Sequence, residues 1–322
     1  MTVLLILLGL AVGSFLNVLI LRYDPDKDGH SERSEESNGG KKILRFYLRM
    51  TTPTFLKTAG GRSRCLHCGH QLRWYELIPV VSWIIQLGKC RNCKKYISLQ
   101  YPVVELASAA LFVFVPWAVE WLLFQTGEWI PAFAGMTGDM WMLYGFSAFW
   151  ILVFLMLMAA FFIDVRHYVI PNYLNLSIFI AGIVWTVVRM GSFLGSCADL
   201  FSFGGSASEV GLVLNHILGM VLGAGFFLVV IFITRGKGMG LGDAKLMAGL
   251  GLLFGYPDIL IVMVLSFVLG TLYALPLLAM GKKGMKSMLP FGPFIVLASF
   301  LVFFFGTRIL QGYFGIIEGL SL

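Results

Sequence analysis

Long runs of apolar residues, separated by short polar stretches, make up most of this chain. They fall at 2–22, 102–123, 141–163, 173–190, 210–234, 244–257, 258–281 and 288–310. A helix of about 20 apolar residues crosses about 30 Å of hydrocarbon. The pattern therefore predicts an all-α polytopic membrane protein with about eight transmembrane helices. The 244–257 run is short, and only Gly255-Tyr256-Pro257-Asp258 divides it from the next, so six or seven spans stay open. The first run has no positive n-region and no small-residue cleavage site after it, so it is expected to stay as a helix.

The polar interruptions predict the domain organisation. Residues 1–22 form the first transmembrane helix and 23–61 a polar, basic inserted linker. Residues 62–101 form a small cytoplasmic tetracysteine domain, and 102–322 the remaining membrane domain. Within the linker, Ser31 to Gly40 is rich in Ser, Glu and Gly and has no apolar period, the composition of a disordered insertion. The stretch up to Phe55 is basic with interleaved aromatics and is either a solvated tether or a segment on the membrane surface. A polar-aromatic insertion at 124–140 and a Gly/Ser-rich loop at 191–209 are expected on the opposite side.

Composition supports lipid as the solvent: only 13% of residues are charged and mean hydropathy is +0.84, where soluble domains carry about 25% charge. Charge placement then sets orientation. Fifteen of the 24 Lys and Arg lie between Arg22 and Lys95. With eight spans Arg166, Arg235, Lys237, Lys245, Lys282, Lys283 and Lys286 share that side, leaving Arg189 and Arg308 opposite. The positive-inside rule makes the rich side cytoplasmic and the N-terminus external. Topology and anionic lipid account for the net charge of +7 without nucleic acid.

Two groups of residues carry candidate chemistry. Cys65-x-x-Cys68 and Cys90-x-x-Cys93 are 21 residues apart, a spacing at which two knuckles set four thiolates around Zn²⁺. A reducing cytoplasm favours metal over two disulfides, and a closed Cys₄ shell is structural because it keeps no open position. His67 and His70 are surplus to a filled shell, and Cys197 has no partner in sequence. The second group is Asp164, directly after the 141–163 run, and Asp243, directly before the 244–257 run. Other carboxylates near a span are Glu105, Glu120, Glu209 and Asp258. Ionisable groups at membrane depth are costly and are functional candidates. A pair of carboxylates can share a proton, one activating water while the other polarises a carbonyl. The alternative for a single Asp is a helix cap or a solvated boundary residue. Gly240 and Gly242 flank Leu241 and allow close backbone approach. Lys245 either snorkels to headgroups or binds a substrate carboxylate.

These features together resemble the type IV prepilin peptidases, also called prepilin leader peptidase/N-methyltransferases, which are GxGD-type membrane aspartyl proteases. The resemblance rests on Gly13-Ser14-Phe15-Leu16-Asn17-Val18 in the first helix, which brings in Asn17, and on Cys65 through Tyr101-Pro102-Val103-Val104-Glu105. It also rests on Asp164 six residues before Ile170-Pro171, on Gly240-Leu241-Gly242-Asp243-Ala244-Lys245-Leu246, and on Pro290-Phe291-Gly292-Pro293. It implies that Asp164 and Asp243 are catalytic and that the substrates are type IV prepilins or type II secretion pseudopilins. Their basic leader would be cut after a Gly at the cytoplasmic face, with S-adenosylmethionine-dependent N-methylation of the new N-terminus. The chain departs from the family in having Asn172 where Asp is common, Leu66 where Pro is common, and the insertions at 24–60 and 124–140. The first insertion resembles peptides translated from interspersed bacterial repeats. No nucleotide-binding motif supports S-adenosylmethionine, so methylation follows from the resemblance alone and a peptidase without it is the near alternative. A transporter using the two aspartates as ion sites, or a zinc-bearing scaffold, would be a different class. Aspartates at the membrane boundary rather than its middle disfavour the transporter.

Overall fold

The computed structural model describes residues 2–23, 63–65, 67–125, 139–190, 209–235, 239–280 and 289–320. The inserted linker, the loops containing 126–138 and 191–208 (with Cys197), and Lys237, Lys282, Lys283 and Lys286 lie outside the described residues.

Eight long helices occur among the described residues: α1 (Thr2–Arg22), α3 (Gln100–Gln125), α4 (Asp139–His167), α5 (Asn172–Met190), α6 (Glu209–Ile233), α7 (Leu241–Phe254), α8 (Asp258–Ala279) and α9 (Gly292–Leu320). A five-residue helix, α2 (Val81–Ile85), and a 3₁₀ turn (Trp74–Leu77) lie between α1 and α3. No strand occurs among the described residues, only two isolated bridges, Arg64 to Gln71 and Lys89 to Tyr96. Among the described residues five helices are long and apolar enough to cross a membrane, and stretches of α5 and α9 form shorter apolar helices.

The helix ends differ from the apolar runs where local chemistry overrides hydropathy. α7 starts at Leu241, three residues before its run, because Gly240 takes the extended conformation of an N-cap (φ −85, ψ 151). Asp243 is therefore inside the first turn. α4 continues past its run to His167, which places Asp164 in the last turn. α9 starts at Gly292, four residues into its run, with Pro293 in the first turn where its missing N–H costs nothing.

The chain forms two compact units, Met1–Trp117 and Ala118–Leu322. In the first, α1 and α3 run antiparallel along a stripe of small residues. A Cβ on Gly9 would lie 2.6 Å from Ala109 Cα, and one on Gly13 2.8 Å from Glu105 Cα. One turn further, the Asn17 side chain donates to the Tyr101 carbonyl at 3.0 Å. Small residues allow this approach, and polar side chains bridge it, as in membrane helix pairs generally.

In the second unit α7 packs between α5 and α6. The α6–α7 contact is backbone on backbone: a Cβ on Gly219 would be 2.7 Å from the Gly251 carbonyl oxygen, and one on Gly251 2.5 Å from that of Gly219. On the other side Gly182 of α5 meets Leu252, and Thr186 Oγ1 donates to the Gly182 carbonyl at 2.9 Å. Aromatic rings fill the space between α4, α5, α7 and α9. Trp150 lies 4.7 Å from Phe303, 5.3 Å from Trp185 and 5.7 Å from Phe254, centroid to centroid. Helix α7, with Asp243 in its first turn, is thus packed on several sides.

Candidate active site

Asp164 and Asp243 belong to the second unit and are both buried, 4% and 8% exposed, and each lies within electrostatic range of the other. After Asp164 the chain turns sharply. Tyr168 adopts a left-handed conformation (φ 57) and donates its N–H to the Asp164 carbonyl at 2.8 Å, an αL helix stop. The return brings Ile170 and Pro171 beneath two helix N-termini. A Cβ on Gly242 of α7 would lie 3.5 Å from Ile170 Cβ, and one on Gly292 of α9 3.1 Å from Ile170 Cδ1.

Gly292 also holds the first aspartate. Its N–H donates to Asp164 Oδ2 at 3.0 Å. A Cβ there would fall 2.6 Å from the same oxygen, so only glycine fits without displacement. Asp164 therefore faces the N-terminus of α9, and Asp243 occupies the first turn of α7. Free N–H groups and the helix dipole favour negative charge at both places. Asn175 of α5, 4% exposed, donates its side-chain N–H to the Gly242 carbonyl at 3.3 Å and ties α5 to the Asp243 turn. Lys245 is exposed, and its ammonium donates to Asn172 Oδ1 at 3.0 Å.

Residues Gly240, Gly242, Lys245, Asp164 and Asp243 thus gather in one place. Asn17 belongs to the first unit, where its side chain donates to the Tyr101 carbonyl. Reading the sequence left out the roles of Gly292, Ile170 and Asn175. Gly292 and Ile170 belonged to quoted motifs, but nothing local shows which atoms they meet.

The four cysteines form a second cluster, in the first unit. Their sulfurs all lie within 4.8 Å of one another, and Cys65 and Cys93 are 3.9 Å apart. A tetrahedron with bonds of about 2.3 Å has edges of about 3.8 Å, so the geometry fits a single ion. It does not fit disulfides, whose sulfurs sit about 2.05 Å apart. The two knuckles fold alike. Gly69 (φ +70) donates to the Cys65 carbonyl at 3.0 Å, and Lys94 (φ 57) to the Cys90 carbonyl at 2.9 Å. Asn92 of the second knuckle donates to Cys68 Sγ of the first at 3.7 Å.

A backbone hydrogen bond at His70 lowers the Cys68 thiol to about 6, and one at Cys93 lowers that of Cys90. At Cys93 the backbone bond at Lys95 is outweighed by burial and the other sulfurs, which push it up to about 11. The cluster readily carries some negative charge and resists the last, and a cation removes that resistance. His70 faces Glu76 at 3.8 Å, and neither it nor His67 belongs to the cluster. The four-cysteine cluster can hold a metal ion.

Helices of membrane length, two buried aspartates and a four-cysteine cluster able to hold a metal define a multi-pass helical membrane protein with hydrolytic potential. The chain matches the Bacterial Peptidase A24 N-terminal domain over residues 7–119 and the Type IV leader peptidase family over residues 151–275. It is 32% identical to the prepilin leader peptidase/N-methyltransferase of Dichelobacter nodosus, covering 96% of this chain and 93% of that protein. Identity to the protein of the same description from Stutzerimonas stutzeri is 30%, covering 96% and 92%, and to that from Pseudomonas aeruginosa 28%, covering 96% and 91%. No solved structure matches the chain. The chain belongs to the type IV leader peptidase family.

Proposed function

We propose that this protein cuts the basic leader from type IV prepilins or type II secretion pseudopilins at the cytoplasmic face of the inner membrane, then N-methylates the new N-terminus. The observation that carries the cleavage reading is the buried pair Asp164 and Asp243, each set at a helix N-terminus and each within the other's field. One carboxylate takes a proton from water as the oxygen attacks the scissile carbonyl. The other, protonated, hydrogen-bonds the carbonyl oxygen, and the amine leaves with a proton returned from the pair. Gly242 lets the Asp243 turn pack on Ile170, and Gly240, without a side chain, lets an extended peptide approach the start of that turn. Lys245, exposed and bonded to Asn172, would meet a substrate carboxylate. Asn17 is a positioning residue of the first unit.

The bias of Lys and Arg supports the orientation, since it puts both aspartates on the side where a basic leader remains. Cys65, Cys68, Cys90 and Cys93 hold structural zinc. S-adenosylmethionine supplies an electrophilic methyl group, and the methylation reading draws on the relatives' names. The purified protein in lipid, incubated with a prepilin and isotopically labelled S-adenosylmethionine, is expected to give a product that lacks the leader and carries one labelled methyl. Uncut prepilin rejects the peptidase; cut but unmethylated product leaves a peptidase alone.

Gly292→Ala is expected to lower kcat for cleavage by about 100-fold, the effect of moving a catalytic group by roughly 1 Å. Its helical circular dichroism should match the parent. Unchanged turnover would show that the Gly292–Asp164 contact does not matter to the chemistry.

A further inference from the structure

The tetracysteine unit carries a surface that neither metal binding nor cleavage uses. Helix α2 turns its Trp83 side inward. The Trp83 ring lies where a Cβ on Gly88 would touch it at 2.8 Å, and its Nε1–H donates to the Ile97 carbonyl at 3.4 Å. The opposite side presents Val81, Ile84 and Ile85, 48%, 58% and 66% exposed, at the i, i+3, i+4 spacing of a single helix face. Leu87, 80% exposed, follows two residues after the helix. It holds a left-handed conformation (φ 51) that a glycine would adopt without strain. A strained, exposed leucine next to three exposed branched aliphatics is a costly arrangement in water.

Depth is fixed from within the same unit. The Val80 N–H, at the start of α2, donates to Glu105 Oε2 at 2.7 Å. Glu105 lies five residues into α3, a helix of membrane-crossing length from Gln100 onward, or about 7.5 Å along its axis. α2 is therefore held level with the first turns of a transmembrane helix. An apolar helix face lying in the interface sits about 5–10 Å into the headgroup and acyl boundary. Charge is complementary as well: residues 63–99 carry six Lys and Arg against one acid, Glu76, which is buried. Exposed Trp74 and Tyr96, amphipathic rings suited to the interface, belong to the same unit.

We propose that the tetracysteine unit is a monotopic membrane element, with Val81, Ile84, Ile85 and Leu87 seated in the anionic lipid of the leaflet that α3 enters. Zinc would then fix a lipid-embedded platform rather than a domain standing free in solvent.

The test uses the full chain in vesicles of phosphatidylethanolamine and phosphatidylglycerol, with a benzophenone amino acid replacing Ile84, Leu87 or, as control, the exposed knuckle residue His67. After illumination, mass spectrometry of the 63–99 region is expected to show about tenfold more lipid adduct at Ile84 and Leu87 than at His67. Replacing phosphatidylglycerol by phosphatidylcholine should reduce that yield. Zinc content of each variant checks that the unit has folded, and the two test positions are independent. Adducts to a second copy, to added prepilin or to another segment of this chain would overturn the proposal, as would equal lipid adduct at all three positions or none at any. The experiment reads no enzymatic activity, so it stands or falls separately from the peptidase reading.

Discussion

Asp164→Asn and Asp243→Asn are each expected to reduce leader cleavage by about 10³-fold or more, because each removes one half of an acid–base pair that acts as a unit. The amide keeps the shape of the carboxylate but cannot take a proton from water, nor can it alternate between acid and base. For the same reason the double variant should be scarcely worse than either single one. Fold should survive. The Gly292 N–H that reaches Asp164 Oδ2 can still donate to an amide oxygen, and the variant buries one acid fewer. Initial rates of prepilin conversion, followed by mass with thermal unfolding in parallel, measure both. Either Asn variant retaining cleavage within about tenfold of the parent, with the fold intact, would exclude the aspartate pair as the catalyst.

Cys93→Ser, or Cys65→Ser, is expected to take bound zinc from one ion per chain to almost none. Structural zinc in Cys-rich knuckles is worth on the order of 10 kcal/mol of apparent binding energy, and that energy is folding energy. The two bridges, Arg64 to Gln71 and Lys89 to Tyr96, close the knuckles. There is little other regular structure between residues 63 and 80 to hold that part of the unit without an ion. Loss of metal should therefore appear as new protease sensitivity confined to about residues 63–99, with the helices of the second unit protected. Protons compete with metal for each sulfur, so zinc retention should also weaken as pH falls. Metal analysis of the purified parent decides the matter first. A parent that holds no zinc after expression in zinc-replete medium, with four free thiols, would reduce the cluster to packed cysteines.

Much of this architecture is legible in sequence because lipid imposes a simple rule: apolar runs become helices. The runs at 2–22, 173–190 and 210–234 meet α1, α5 and α6 to within a residue. The paired C-x-x-C motifs specify their cluster for a similar reason, since two tight turns have few ways to bring four sulfurs together. What does not show is register across space. Gly292 and Asp164 are 128 positions apart, and nothing in Pro290-Phe291-Gly292-Pro293 says which carboxylate its N–H will meet. Asn175 reaching Gly242, 67 positions away, is equally silent. Lys245 illustrates a third kind of limit. Snorkelling and ligand binding were both open to it, and its bond to Asn172 depends on how α5 and α7 pack. The bond from Asn17 to the Tyr101 carbonyl, 84 positions away, likewise depends on how α1 and α3 pack.

Helix α7 has 14 residues, about 21 Å of rise, against hydrocarbon about 30 Å thick. It cannot reach from one surface to the other, and the extended Gly240 that precedes it leaves main-chain polar atoms outside any helix. Such atoms persist at depth only where protein or solvent satisfies them. The shortfall of about 9 Å must be met by the chain at the ends of α7, by the helices packed around it or by local thinning of the bilayer.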